Sequence, residues 1–189
     1  MINGYTIIDP ANTTGEIREQ FDQVEQAMGF IPNMFKTLAN SPATLGAVRE
    51  IYNKANETEF STTERHVVFQ AVNVVNKCSY CVPAHSTNAR KGGVPVDIDE
   101  TLRKNSPLED PKLEALRQFT IKIVERRAQI SVEDFSTFIN AGWTRQSALE
   151  VLLLVALKTL TNYTNHLADI DLDDAFKPLE WSPESPAAV

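Results

Sequence analysis

A chain of 189 residues, 42% hydrophobic and 23% charged, is long enough to bury a full core without staples and has the composition of a globular domain. A net charge of −7 with no basic run argues against a nucleic-acid-binding face, which needs clustered Lys and Arg. The longest apolar run, Ala148 to Leu157, is too short for a bilayer, and the first residues have neither the basic nor the apolar region of a signal peptide, so a cytoplasmic protein without a membrane partner is expected.

Helical periodicity then runs through the chain. Ile17, Phe21, Val24 and Met28 recur at spacings of three and four before Gly29, predicting a helix that stops there. A short helix opened by Pro32 should close before Pro42. Ser41 as N-cap and Pro42 at the first helical position start the next, with Leu45, Val48, Ile51 and Tyr52 as its apolar face. Ser61 followed by Glu64 is a capping-box pattern. It opens a segment that turns Val67, Val68, Ala71, Val72 and Val75 inward. Valine also suits strands, but length and the capping box decide for helix.

A further helix should end at Gly92 and Gly93. "DIDETLRKN" reads as a short helix, and "DPKLEALRQFTIKIVERRAQ" as a long amphipathic one with Leu113, Leu116, Phe119, Ile123 and Val124 on one face. Ser131 with Asp134, and then Thr144, supply N-caps for the last two. The final helix is apolar almost all round from Leu152 to Leu157, as expected of a helix central in a bundle or shared with a neighbouring subunit. The tail, 169–189, is turn-rich and is expected to wrap the surface, its last residues disordered. With no strand-period segment, repeat or low-complexity tract, the chain reads as an all-α, single-domain helical bundle over 1–189, with a core of about 13–168.

Both cysteines fall in "KCSYCVPAHS", Lys77 to Ser86, beside one of the chain's three histidines. Pro83 has no amide donor and fits only a first helical turn. The helix therefore starts near Cys78 to Tyr80, with Cys78 at the cap and Cys81 in the first turn. Both sulfurs then lie at the positive end of the helix dipole, which favours thiolate. Residues three apart at a helix start also fall within the roughly 4.4–6.8 Å Cα separation of a disulfide. His85, one turn after Cys81, shares its face. Neutral, it can take the thiol proton; protonated, it can hold the thiolate. A hydroperoxide would oxidise such a thiol to a sulfenic acid, and a second thiol would condense with it.

Two plainer readings compete. A zinc site would need His85 together with His66 or His166, since no second cysteine pair exists. Inert buried thiols are also possible, but they have no reason to gather at a helix start. In a reducing compartment such a pair is catalytic or metal-binding sooner than structural. No glycine-rich phosphate loop follows a strand, so no cofactor is expected and electrons must come from outside. His166 can turn toward the site from the last long helix. Asn162 and Asn165 read as capping or interhelix hydrogen-bonders, and Trp143 and Trp181 as packing anchors.

At these residues the chain resembles a family. "TERHVVFQAVNVVNKCSYCVPAHSTNARKGG" looks like the core motif of the AhpD-like alkylhydroperoxidases of the carboxymuconolactone decarboxylase superfamily. "IPNMFKTLANSP" and "NHLADIDLDDAFKPLEW" resemble segments of its peroxidase-related branch. The resemblance implies an AhpD-like all-α fold, a homo-oligomer (dimer, trimer or hexamer), and hydroperoxide reduction by a dithiol/disulfide cycle. A partner dithiol, protein or lipoyl-type, would return the electrons. By position Cys81 would attack the peroxide, Cys78 would resolve and exchange with the donor, and His85 would be the relay histidine. Helix-start logic instead favours Cys78 as the more exposed thiol, so the residues themselves leave the order open.

Two positions depart from the best-known members. His66 stands where they carry a glutamate, and Tyr80 where they carry a histidine. Glu64 is close by but points to another side of the helix and reads as the cap partner. A histidine can shuttle protons near neutral pH, whereas tyrosine can only donate a hydrogen bond there, so these positions bear on peroxidase efficiency. The alternatives are a lactone decarboxylase, whose superfamily members lack this cysteine pair, and a redox sensor or scaffold that closes the disulfide without turnover.

Overall fold

Proline, glycine and hydroxyl side chains divide the chain into nine α-helices among the described residues, 4–183, of a computed structural model. They are α1 (Gly15–Met28), α2 (Asn33–Leu38), α3 (Pro42–Asn56), α4 (Thr62–Val75), α5 (Cys81–Lys91), α6 (Val96–Arg103), α7 (Pro111–Glu125), α8 (Val132–Asn140) and α9 (Arg145–Ala168). The predicted caps form. Ser41 accepts the Thr44 N–H, Ser61 and Glu64 close a capping box, Ser131 accepts the Asp134 N–H, and Thr144 pairs reciprocally with Ser147. Gly29 ends α1 in the left-handed region at φ 80°.

Helix α4 lies at the centre, packed against α5, α6, α7 and α9. Its Val67, Val68 and Val72 are fully buried, and Val74 is more buried than Val75. Below it, Phe119 stacks on Phe138 at 4.0 Å, and Phe138 on Trp143 at 5.9 Å. Trp143 anchors this layer by donating its indole N–H to the Lys112 carbonyl at 3.0 Å. Helix α9 buries Val151, Leu154 and Leu157, yet it is not enclosed all round: Leu149, Tyr163 and Leu167 stay 68%, 58% and 44% exposed. No helix among the described residues is long and apolar enough to cross a membrane.

The tail does more than wrap the surface. Phe176 is buried against Phe30 and Tyr80, with ring centroids 5.6 and 6.0 Å away. Asp173 accepts the Asn33 N–H at the start of α2 and the Tyr80 hydroxyl. Trp181 donates to the Arg103 carbonyl at 3.0 Å. The expected disorder of the last residues lies outside the described residues.

Candidate active site

The cysteine pair sits where α4 hands over to α5. Lys77 adopts φ 53°, its N–H reaches the Val74 carbonyl, and the Cys78 N–H reaches the Asn73 carbonyl, each at 3.0 Å. These are the two bonds of a Schellman turn, which reverses the chain so that α5 starts beside the end of α4. The Val82 N–H then bonds the Cys78 carbonyl at 3.1 Å, and the Cys81 N–H donates to Cys78 Sγ at 3.2 Å. The helix itself starts at Cys81 with Tyr80 at the N-cap, later than the expected start near Cys78, and Cys78 lies in the turn just before it.

Both thiols are free and buried, but only Cys81 lines the cavity of about 480 Å³ enclosed by α1 to α5, α9 and Phe176. Cys78 is 0% exposed and lies behind it. This reverses the exposure order that helix-start logic favours: Cys78 turns its sulfur back onto the Cys81 amide rather than outward.

Above Cys81 lies a cation. Lys158 of α9 is 1% exposed and donates to His85 Nε2 at 2.8 Å and Thr161 Oγ1 at 3.0 Å. Its ammonium also stands 6.0 Å over the Phe69 ring. Burial alone would raise the Cys81 thiol. The hydrogen bond with Cys78, the Lys158 charge, and hydrogen bonds with Asn162 and Thr161 outweigh it and hold the thiol at about 7, below the ordinary 9.0. Burial, then the bond and the charge shared with Cys81, push Cys78 far up. The two thiols are thus separated in acidity, Cys81 toward thiolate and Cys78 toward thiol.

Burial, then the charges of Lys158 and His66, hold His85 well below 6.5. Since Lys158 donates to Nε2, the neutral ring carries its proton on Nδ1. The expected imidazolium partner of the thiolate is therefore replaced by the Lys158 ammonium. Two cations this close would repel, and the imidazole gives up its charge.

His66 lines the same cavity and meets Asp99 Oδ1 at 2.9 Å through Nε2. Asp99 is fully buried. Burial would raise it, but hydrogen bonds from His66, Ser86 and Arg90 hold it at about 2. It is an anion, so His66 Nε2 is the donor. Behind this pair runs a chain of amides. Gln70 donates to Ser86 at 2.8 Å, Asn73 to Gln70 at 3.0 Å, Asn162 to Asn73 at 2.9 Å and Asn76 to Asn162 at 3.0 Å. Asn162 is thus the interhelix hydrogen-bonder it was read as.

Of the residues singled out from sequence, Cys81, His85, His66 and Tyr80 meet in one cavity. The Tyr80 hydroxyl is engaged by the tail and by α2. It donates to Asp173 at 2.5 Å and accepts the Met34 N–H at 3.2 Å, fastening the tail and α2 to the start of α5. Glu64 is held in its capping box by the Ser61 N–H at 2.7 Å. His166 is exposed, stacked 6.2 Å from Tyr163, and does not line the cavity. Among the described residues no three His, Cys, Asp or Glu side chains gather as a metal site requires. Lys158 and Asp99 were not singled out as site residues. The available signal was a lysine, Lys158, set between Leu157 and Leu160 inside a helix otherwise apolar there.

Residues 42–121 match the carboxymuconolactone decarboxylase family. Among solved structures, the chain is similar to an alkylhydroperoxidase AhpD core, an uncharacterized peroxidase-related protein from Ralstonia eutropha JMP134. That match has a TM-score of 0.82 and 23% identity over 98% of each chain. It is also similar to an uncharacterized peroxidase-related protein from Silicibacter sp. TM1040, with a TM-score of 0.78 and 21% identity over 91% of each chain. A third similarity is to the debrominase Bmp8 in complex with 2,3,4-tribromopyrrole, with a TM-score of 0.74 and 17% identity over 86% of this chain and 88% of that one. No curated protein sequence matches.

Proposed function

We propose that this chain, whose residues 42–121 match the carboxymuconolactone decarboxylase family and whose fold is that of AhpD-like proteins, is a thiol-dependent peroxidase of a reducing compartment. The observation that carries the reading is the division of labour between the sulfurs. Cys81 faces the cavity beneath a buried ammonium, and Cys78 is held against its amide.

In this cycle the Cys81 thiolate attacks the terminal oxygen of ROOH and the O–O bond breaks. The alkoxide takes a proton from the Lys158 ammonium, leaving ROH and a Cys81 sulfenic acid. His85, hydrogen-bonded to Lys158 at 2.8 Å, positions that cation and completes the proton relay. His66, fixed by Asp99, stands on the same wall as a second imidazole. Cys78 then displaces water from the sulfenic acid to form the disulfide, and an external dithiol returns two electrons and two protons. No cofactor enters these steps. The exposed stripe of Leu149, Leu152, Tyr163 and Leu167 on α9 supports a homo-oligomer.

The apolar cavity walls also suit a second reading, reductive dehalogenation. Here the same dithiol would convert an aryl bromide to the arene and HBr while closing the disulfide. Mass spectrometry of the reduced chain, after a small excess of cumene hydroperoxide or of a bromopyrrole, tests both. Disulfide formation with release of the alcohol or of the debrominated ring identifies the reaction. Disulfide without turnover under any dithiol donor leaves a redox sensor, and unchanged turnover in both Cys78→Ser and Cys81→Ser removes the cycle.

A further inference from the structure

The cavity is positively charged in a protein of net charge −7. Its walls include Arg49, Arg65 and Lys158 but no Asp or Glu. Six arginines of the described chain are not fully exposed. Arg18, Arg90, Arg103 and Arg117 each pair with a carboxylate. Arg49 and Arg65, the two in the cavity wall, form no ion pair with any described residue. Arg49 donates to the neutral amide oxygen of Gln23, and Arg65 to the Phe60 carbonyl at 2.5 Å. Both guanidiniums therefore keep donors and an uncompensated charge, which suits bidentate capture of a carboxylate.

The rest of the wall is of the opposite character. Met28, Met34, Phe35, Phe69 and Phe176 line it, and about 480 Å³ is the size of a site for an organic molecule rather than for hydrogen peroxide. The exposed side chains of Asn53, Asn56 and Asn88 complete the lining, and they are polar without adding charge.

We propose that the cavity takes an amphipathic monoanion: an organic hydroperoxide with a hydrocarbon body and a carboxylate, the carboxylate bound by Arg49 and Arg65. This rests on the peroxidase reading for the reacting group alone; the choice of a carboxylate rests on the arginines. The chemistry is unchanged. The O–O bond breaks at Cys81, ROOH becomes ROH, and the carboxylate stays intact as the handle.

The test uses unreactive probes, so that it does not depend on turnover. The full chain is reduced and exposed to iodoacetamide with octanoate or 1-octanol, and Cys81 labelling is followed by mass spectrometry. Octanoate should protect at about a tenfold lower concentration than 1-octanol, the worth of a charge-assisted hydrogen-bonded pair. Arg49→Gln and Arg65→Gln should each shrink that preference several-fold, whereas Arg65→Lys should retain part of it. Equal protection by acid and alcohol in the native chain overturns the proposal, as does a preference that survives both glutamine substitutions. If octanoate protects as expected and no hydroperoxide is turned over, the carboxylate site stands and the peroxidase reading falls.

Discussion

Lys158→Met is the sharpest test of the site's electrostatics. The substitution keeps much of the side-chain volume and removes the one cation whose charge lowers the Cys81 thiol. At a value of about 7, roughly half of Cys81 is thiolate at neutral pH. At the ordinary 9.0, the fraction is on the order of one in a hundred. Without the ammonium, burial is opposed only by the bonds from Cys78, Asn162 and Thr161, so the thiol should move up toward the ordinary value. A full return to it would lower the thiolate population at neutral pH by roughly fiftyfold. The sign is fixed: losing a cation penalises the anion, so reactivity at pH 7 falls and its midpoint moves to higher pH.

The assay is the pH dependence of Cys81 alkylation, resolved from Cys78 by peptide mass spectrometry. A thermal melt checks that the variant still folds. A folded variant whose alkylation midpoint stays near 7 would refute the assignment of Lys158. A midpoint that stays low only where His85 also becomes protonated, visible by NMR of its ring, would show that the imidazole takes over the role.

Cys78→Ser should abolish dithiol-dependent turnover yet let Cys81 accumulate as a sulfenic acid after one equivalent of hydroperoxide, trapped by dimedone; Cys81→Ser should give no adduct at all. Asp99→Asn should destabilise the fold by about 3–5 kcal/mol, because it leaves Arg90 and His66 without their buried anion, read as a lower denaturant midpoint. In the native chain the same carboxylate, depressed to about 2, contributes stability that is full above its unfolded value, ~3.9. That contribution is lost as pH falls from there toward 2, so acid titration of the melting temperature should bend in that window and not in Asp99→Asn. Lys77→Gly should stabilise by roughly 0.5–1 kcal/mol, since φ 53° is strained for lysine and free for glycine. Finally, Leu149→Glu with Tyr163→Glu should shift sedimentation toward the monomer if the open face of α9 is buried between copies.

Much of the scaffold could be read from local chemistry. Ser41, Ser61, Ser131 and Thr144 each announced a helix because an N-cap is satisfied within three residues, and Pro83 placed the start of α5 to within about one turn for the same local reason. The site was half legible. Cys81 and His85 share one helix, so spacing alone placed them together. Lys158 escaped because a lysine after an apolar run reads as its boundary, although α9 continues to Ala168. Its meaning comes from His85 on another helix. Asp99 lies in a segment read only as a short helix, and its partner His66 lies on a different helix. Tyr80 was weighed as a missing relay histidine, while its partner Asp173 belongs to a tail read as surface wrapping. In each case the missing information was a contact between distant parts of the chain, which no period or cap encodes.

The sealed position of Cys78, 0% exposed behind Cys81, has a kinetic consequence. In the proposed cycle the oxidised pair would offer an incoming reductant a single reachable face, the one through which the oxidant arrived. Both half-reactions must then share one doorway and take turns. Steady-state plots should show parallel lines, and each reactant in excess should obstruct the other.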